Sequence, residues 1–133
     1  MSIFTWLFPA KKDTHAAVCM KGKGRFQTEV TDCELFQQGF ERLCAGYDFD
    51  GEPLTAQATL VELPYDPRNR HPVQVEAKGQ VIGHLRDRDA KRFLHQLHRD
   101  QNSGIATCPL RVHFHPMVGS GGANYTARID LPE

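Results

Sequence analysis

Hydrophobic and polar positions alternate along most of this chain, with two interruptions of helical period. In Phe26-Gln27-Thr28-Glu29-Val30, apolar or β-branched residues fall on every second position and predict a half-buried strand. From Leu54 to Leu63 the side chains of Leu54, Ala56, Ala58 and Leu60 share one face, and Pro64 and Pro67 end the run. Val73 and Val75 continue the strand rhythm, and Lys78-Gly79 is placed as a hairpin turn before Val81 and Ile82. Two further strands are predicted around Leu110, Val112 and Phe114 and around Tyr125, Ala127, Ile129 and Leu131. The glycine-rich stretch Gly119-Ser120-Gly121-Gly122 joins them.

The period lengthens at Phe36, Phe40, Leu43 and Cys44, which share one face of a helix that Thr31 or Asp32 can cap and Gly46 can end. It lengthens again at Ala90, Phe93, Leu94 and Leu97. There Asp87 is the predicted cap, Arg88, Lys91, Arg92 and Arg99 face water, and Asn102-Ser103-Gly104 stops the helix. The order is strand, helix, three strands, helix, two strands. Short strands with hairpin connections and only two helices predict a mainly β, α+β fold, a small β-barrel of about six strands with two α-helices. Residues 1–24 read as an N-terminal tail ending in Lys21-Gly22-Lys23-Gly24, and residues 25–133 as the barrel domain.

Composition narrows the function classes. Sixteen basic and sixteen acidic side chains cancel over 133 residues, which argues against coating nucleic acid through bulk charge and leaves room for a local basic patch. Cys19, Cys33, Cys44 and Cys108 are scattered, without zinc-finger spacing or a disulfide framework, and read as reduced thiols of a cytoplasmic protein. The longest apolar run, Ile3 to Phe8, is far short of the ~20 residues that span a bilayer. It reads as a segment that packs on the barrel or on a partner; a membrane-surface contact through Trp6 and Phe8 above Lys11 and Lys12 is the weaker alternative.

No phosphate-cradling glycine loop, G-x-S-x-G or H-E-x-x-H occurs, so an enzyme is not expected and no cofactor is implied. His113 and His115 alternate on a strand, and His95 and His98 lie one helical turn apart. Either pair can supply two metal ligands, with no third in view. Tyr65, Arg68, Arg70, His71, His84 and Arg86 form the best polar cluster, either a ligand-binding rim or a polar loop that caps the barrel.

The run from Leu60 through Pro64-Tyr65-Asp66-Pro67-Arg68-Asn69-Arg70-His71-Pro72 to Val75, followed by Lys78-Gly79-Gln80-Val81-Ile82-Gly83-His84-Leu85 and a helix with an early Ala90, resembles the core signature of HIRAN domains. Upstream, Val30 to Leu43 is similar to the segment of bacterial stand-alone members that carries a Y-Q step, here Phe36-Gln37. The resemblance covers residues 26–115. It implies an OB/SH3-like barrel that binds nucleic acid by capturing a single-stranded DNA 3′ end, a task that takes a stacking group, a reader of the terminal hydroxyl and donors to the last phosphates. On this reading Phe36 and Arg68 stack, Asp66 and Asn69 read the hydroxyl, and Arg70, His84 and Arg86 contact phosphate, with Tyr65 and His71 on the same rim.

The chain departs from the pattern at several of these positions. Asp66 and Asn69 have exchanged residue types, Arg68 stands in place of a stacking tyrosine, and Asp87 in place of a lysine. Glu34-Leu35-Phe36 replaces a basic-aromatic-aromatic triplet. These departures, with the neutral net charge, keep a second expectation open: a protein-interaction domain on the same barrel.

Overall fold

Residues 18–64, 67–68, 72–100, 104–116 and 123–132 are described by a computed structural model. Their strands are β1 (Val18–Cys19), β2 (Thr28–Thr31), β3 (Leu54–Glu62), β4 (Val73–Ala77), β5 (Gln80–Leu85), β6 (Ile105–Pro116) and β7 (Ala123–Ile129). A 3₁₀ turn, Cys33–Phe36, runs into helix α1 (Gln37–Leu43), and helix α2 spans Asp87–Arg99. The sheet order β6-β3-β4-β5-β2-β7 returns to β6 through a second β6–β7 pairing. Six antiparallel strands therefore close into a barrel, the α+β architecture of OB and SH3-like folds, each of them paired with a neighbour on both sides.

Alternation places the core. Ala58 and Leu60 of β3, Val73 and Val75 of β4, Leu110 and Val112 of β6 and Ile129 of β7 are fully buried, as are Phe40 of α1 and Leu97 of α2. Each of these side chains larger than Ala58 contributes about 1.5–3 kcal/mol relative to exposure. Lys78 and Gly79 both take positive φ, 49° and 78°, so the β4–β5 hairpin has the two left-handed positions of a type I′ turn.

Four local expectations are corrected. Asp32 holds the cap position of the 3₁₀ turn, its carbonyl accepting from the Leu35 amide at 2.9 Å, but its side chain makes no cap bond: its backbone is left-handed (φ 64°) and its carboxylate points elsewhere. Asp87 is the first residue of α2, and Arg86 holds the cap position, its carbonyl accepting from the Ala90 amide at 2.8 Å. The second strand starts at Thr28, because Phe26 turns left-handed (φ 49°) to bury its ring beneath the Arg111 guanidinium, 4.0 Å from the ring centroid. The last strand ends at Ile129, and Leu131 packs on the core beyond it.

Residues 18–24, assigned from sequence to the N-terminal tail, run along the barrel. Val18 and Cys19 pair in parallel with Ala106 and Thr107, and Met20 enters the core. Buried Asp130 then holds the segment, accepting from the Gly24 amide at 2.9 Å and the Phe26 amide at 3.4 Å, while its backbone carbonyl takes the Gly22 amide. Gly22 is required here, since a Cβ would lie 2.4 Å from the Leu131 carbonyl oxygen.

Candidate functional site

The site grows from one close crossing. β5 carries Val81-Ile82-Gly83-His84-Leu85, with Ile82 as an extra residue where the β4–β5 register shifts between Val75 and Glu76. Such bulges re-aim the side chains beside them. β2 passes so near Gly83 that a Cβ there would lie 2.3 Å from the Thr31 carbonyl oxygen and 2.5 Å from Val30 Cγ1. Thr31 is thereby paired with His84, and its hydroxyl donates to the His84 carbonyl at 2.9 Å.

The left-handed turn at Asp32 swings its carboxylate back over β5, where Oδ2 lies 3.0 Å from His84 Nδ1. The 3₁₀ turn then brings Phe36 down beside the imidazole, with ring centroids 5.6 Å apart and an edge-to-face angle of 66°. Phe36 and His84 are each partly exposed. The result is an aromatic and imidazole surface on the outer wall of the barrel, its imidazole oriented by a carboxylate.

The remaining sequence-predicted positions divide into three groups. Arg86 lies two residues past His84, but its Nε is engaged by buried Asp89 at 3.0 Å, with Arg92 on the other carboxylate oxygen at 3.6 Å. Arg68 is exposed on the β3–β4 connection. That connection ends at β4, whose Gln74 is the strand partner of His84. Tyr65, Asp66, Asn69, Arg70 and His71 lie outside the described residues. The structure thus joins Phe36 to His84 and ties Arg86 to the start of α2.

Sequence reading missed Asp32, considered only as a cap; Leu35, noted there only within the Glu34-Leu35-Phe36 departure, stands 69% exposed in the 3₁₀ turn beside Phe36. The signal for Asp32 was present, because aspartate tolerates the left-handed conformation better than most residues. Its histidine partner, however, comes from another strand. For Leu35 the signal was its place outside the Phe36, Phe40 and Leu43 stripe.

Neither histidine pair gains a third ligand among the described residues. His113 and His115 do share a face, with ring centroids 6.2 Å apart, but His115 Nε2 lies against the Thr126 hydroxyl at 2.9 Å, and His98 Nε2 meets Glu62 at 2.9 Å. Among the described residues no group of three or more His, Cys, Asp or Glu side chains is placed to hold a metal ion. Nor is any described helix long and apolar enough to cross a membrane. No protein-family model, no curated protein and no solved structure matches the chain.

Proposed function

We propose that the barrel is a nucleic-acid-binding module that takes a single-stranded DNA 3′ end on its outer wall and performs no chemistry of its own. The observation that carries this reading is the Phe36–His84 contact at 5.6 Å, with Asp32 3.0 Å from the imidazole. A partly exposed phenyl ring offers a base a stacking surface, and an imidazole held in one orientation offers polar contact to the sugar-phosphate beside it. Exposed Arg68 adds a guanidinium from the adjoining connection. The contact joins two separate segments on which the HIRAN resemblance rests, and this convergence supports the shared ligand. Four unpaired thiols, three of them buried, fit a reducing, cytoplasmic setting.

The test is fluorescence anisotropy of short single-stranded DNA ending in a 3′-hydroxyl or a 3′-phosphate, at two salt concentrations. Tighter binding to the hydroxyl end is expected, with affinity falling as salt rises. Phe36→Ala should cost ~1–3 kcal/mol of affinity. Equal binding to both ends would remove the end-reading claim, and no binding to either would remove nucleic acid altogether.

A second reading, a protein-interaction surface on the same wall, is favoured by one observation. Leu35 is 69% exposed next to Phe36, and an exposed aliphatic residue beside an aromatic one suits an apolar partner better than a base. Under that reading Leu35→Ser abolishes partner capture while DNA binding is absent from the start.

A further inference from the structure

The C-terminal end of α1 opens onto a second feature, away from the Phe36–His84 wall. After Cys44 the chain turns through residues 47–53 and returns to β3, and this turn faces the end of β6 and the start of β7 across a half-open cleft of about 610 Å³. Its walls are aromatic. Tyr47 and Phe49 stand at 86° to each other with centroids 4.7 Å apart, Phe114 lies 5.5 Å from Phe49, and Tyr125 closes the group 5.2 Å from Phe114. Phe40 backs Tyr125 in a parallel stack from within the core. Plugging the barrel end would account for Phe40 and Tyr125, but not for a Tyr47 ring left 37% exposed. That ring is nonetheless held in place, its hydroxyl donating to the Pro53 carbonyl at 2.9 Å.

The charged side chains that line this cleft have one sign. Asp48, Asp50 and Glu52 contribute to its lining, and no lysine or arginine is among the described residues that do. The basic group at its margin is His113, which burial and the neighbouring His115, Arg111 and Arg128 hold below its ordinary range, and so neutral at pH 7. The lining therefore offers an anion no cationic side chain to pair with. A strongly hydrated inorganic cation gains little from aromatic walls, and a neutral apolar guest gains nothing from three carboxylates. An ion with a positive charge under an apolar skin satisfies both features, because the faces of aromatic rings attract cations and the carboxylates add long-range attraction. A planar guanidinium stacks on one ring, whereas two rings at right angles offer two walls to a tetrahedral group.

We propose that this aromatic-walled, acid-lipped cleft is a binding site for an alkylated ammonium group, on either a free small molecule or a methylated lysine side chain. The site is independent of the nucleic-acid reading and lies at the other end of α1.

The experiment titrates choline, and separately its uncharged isostere 3,3-dimethylbutan-1-ol, into the ¹⁵N-labelled full chain and follows backbone amides by NMR. Saturable shifts confined to residues 47–52 and 113–115 are expected with choline, with the isostere at least about tenfold weaker. Tyr47→Leu keeps apolar bulk but removes the π face. It should weaken choline severalfold while the rest of the spectrum shows an intact fold, and Glu52→Gln should weaken it to a lesser degree. A trimethyllysine peptide binding more tightly than choline assigns the source to a protein side chain, and equal binding assigns it to a small molecule. Absence of shifts at millimolar choline, or equal binding of the isostere, overturns the proposal.

Discussion

The side chain of Gln37 pairs with the backbone of Tyr125 as a neighbouring strand would. Its Oε1 accepts from the Tyr125 amide at 2.9 Å and its Nε2 donates to the Tyr125 carbonyl at 3.0 Å, while the same nitrogen donates to the Cys33 carbonyl at 2.9 Å. β2 pairs with β7 only at Ile129 and Arg128, so the β7 backbone nearer Tyr125 would otherwise lack a partner on that side. One amide therefore completes the barrel wall, anchors the first turn of α1, and ties that helix to the 3₁₀ turn that carries Phe36.

Gln37→Leu preserves the volume but leaves the Tyr125 amide and two carbonyls without this partner. A loss of about 1–3 kcal/mol is expected, the range for stranding buried polar groups. Urea denaturation checks it, and a midpoint unchanged from wild type would show that water takes over these bonds at no cost.

Gly83 supplies the second prediction. The close passage of β2 leaves no room for a methyl group, with the Thr31 carbonyl oxygen 2.3 Å from where a Cβ would sit. The obstruction is backbone and cannot rotate away. Gly83→Ala should therefore destabilise by about 1–3 kcal/mol or more, as overpacking does. Because β2 must shift, it should also disturb Thr31 and Asp32 against His84. The check is a joint one: the unfolding midpoint falls and the His84 ring resonances move together. A stability loss with unmoved His84 signals would place the strain elsewhere.

Some of this molecule was readable from residue order and some was not, for physical reasons. The period of two at Leu54, Ala56, Ala58 and Leu60, and the 3-4-3 spacing of Ala90, Phe93, Leu94 and Leu97, are local consequences of burying one face. Both features stand in the structure, with Leu94 at the edge of the buried stripe. Lys78-Gly79 was readable for the same reason, since a tight hairpin demands left-handed residues. What local pattern cannot contain is an interaction whose partner comes from elsewhere in the chain. Asp130 fastens Gly24 and Phe26 from the far end of the chain, so Lys21 to Gly24 looked like a loose tail. Asp32 looked like a helix cap because its use by His84 depends on β2 crossing β5. At the candidate wall, Phe36 had the spacing of a core residue, and only the 3₁₀ turn leaves it partly exposed beside His84.

The cysteines give a prediction about reactivity. Burial pushes the thiols of Cys33 and Cys44 up to about 11 and that of Cys108 up to about 12, so each is protonated and shielded at pH 8. Cys19 alone of the four is exposed. A thiol-specific chromogenic reagent should thus titrate one group quickly in the native protein and all four in denaturant. Cys19→Ser should remove the fast phase. A second fast thiol would point to Cys44, which lines the aromatic cleft.

His113 contributes to the acid response of the barrel. Partial burial, then the positive fields of His115, Arg111 and Arg128, hold its pKa below the ordinary 6.5. The unfolded chain, free of both effects, binds a proton near 6.5 while the folded chain resists it, so the unfolded state holds more protons in that interval. Stability therefore falls as pH drops below about 6.5 and stops falling, for this residue, once the folded-state pKa is passed. His113→Asn removes the titrating group and should flatten part of the difference in urea midpoint between pH 7.5 and pH 5.5. Since Arg111 and Arg128 are paired across β6 and β7, each adjacent to this histidine along or across the strands, Arg128→Gln should flatten the same interval to a smaller degree. A pH dependence identical in wild type and His113→Asn would mean that His113 takes its proton as readily folded as unfolded, and that the two arginines are screened from it by solvent.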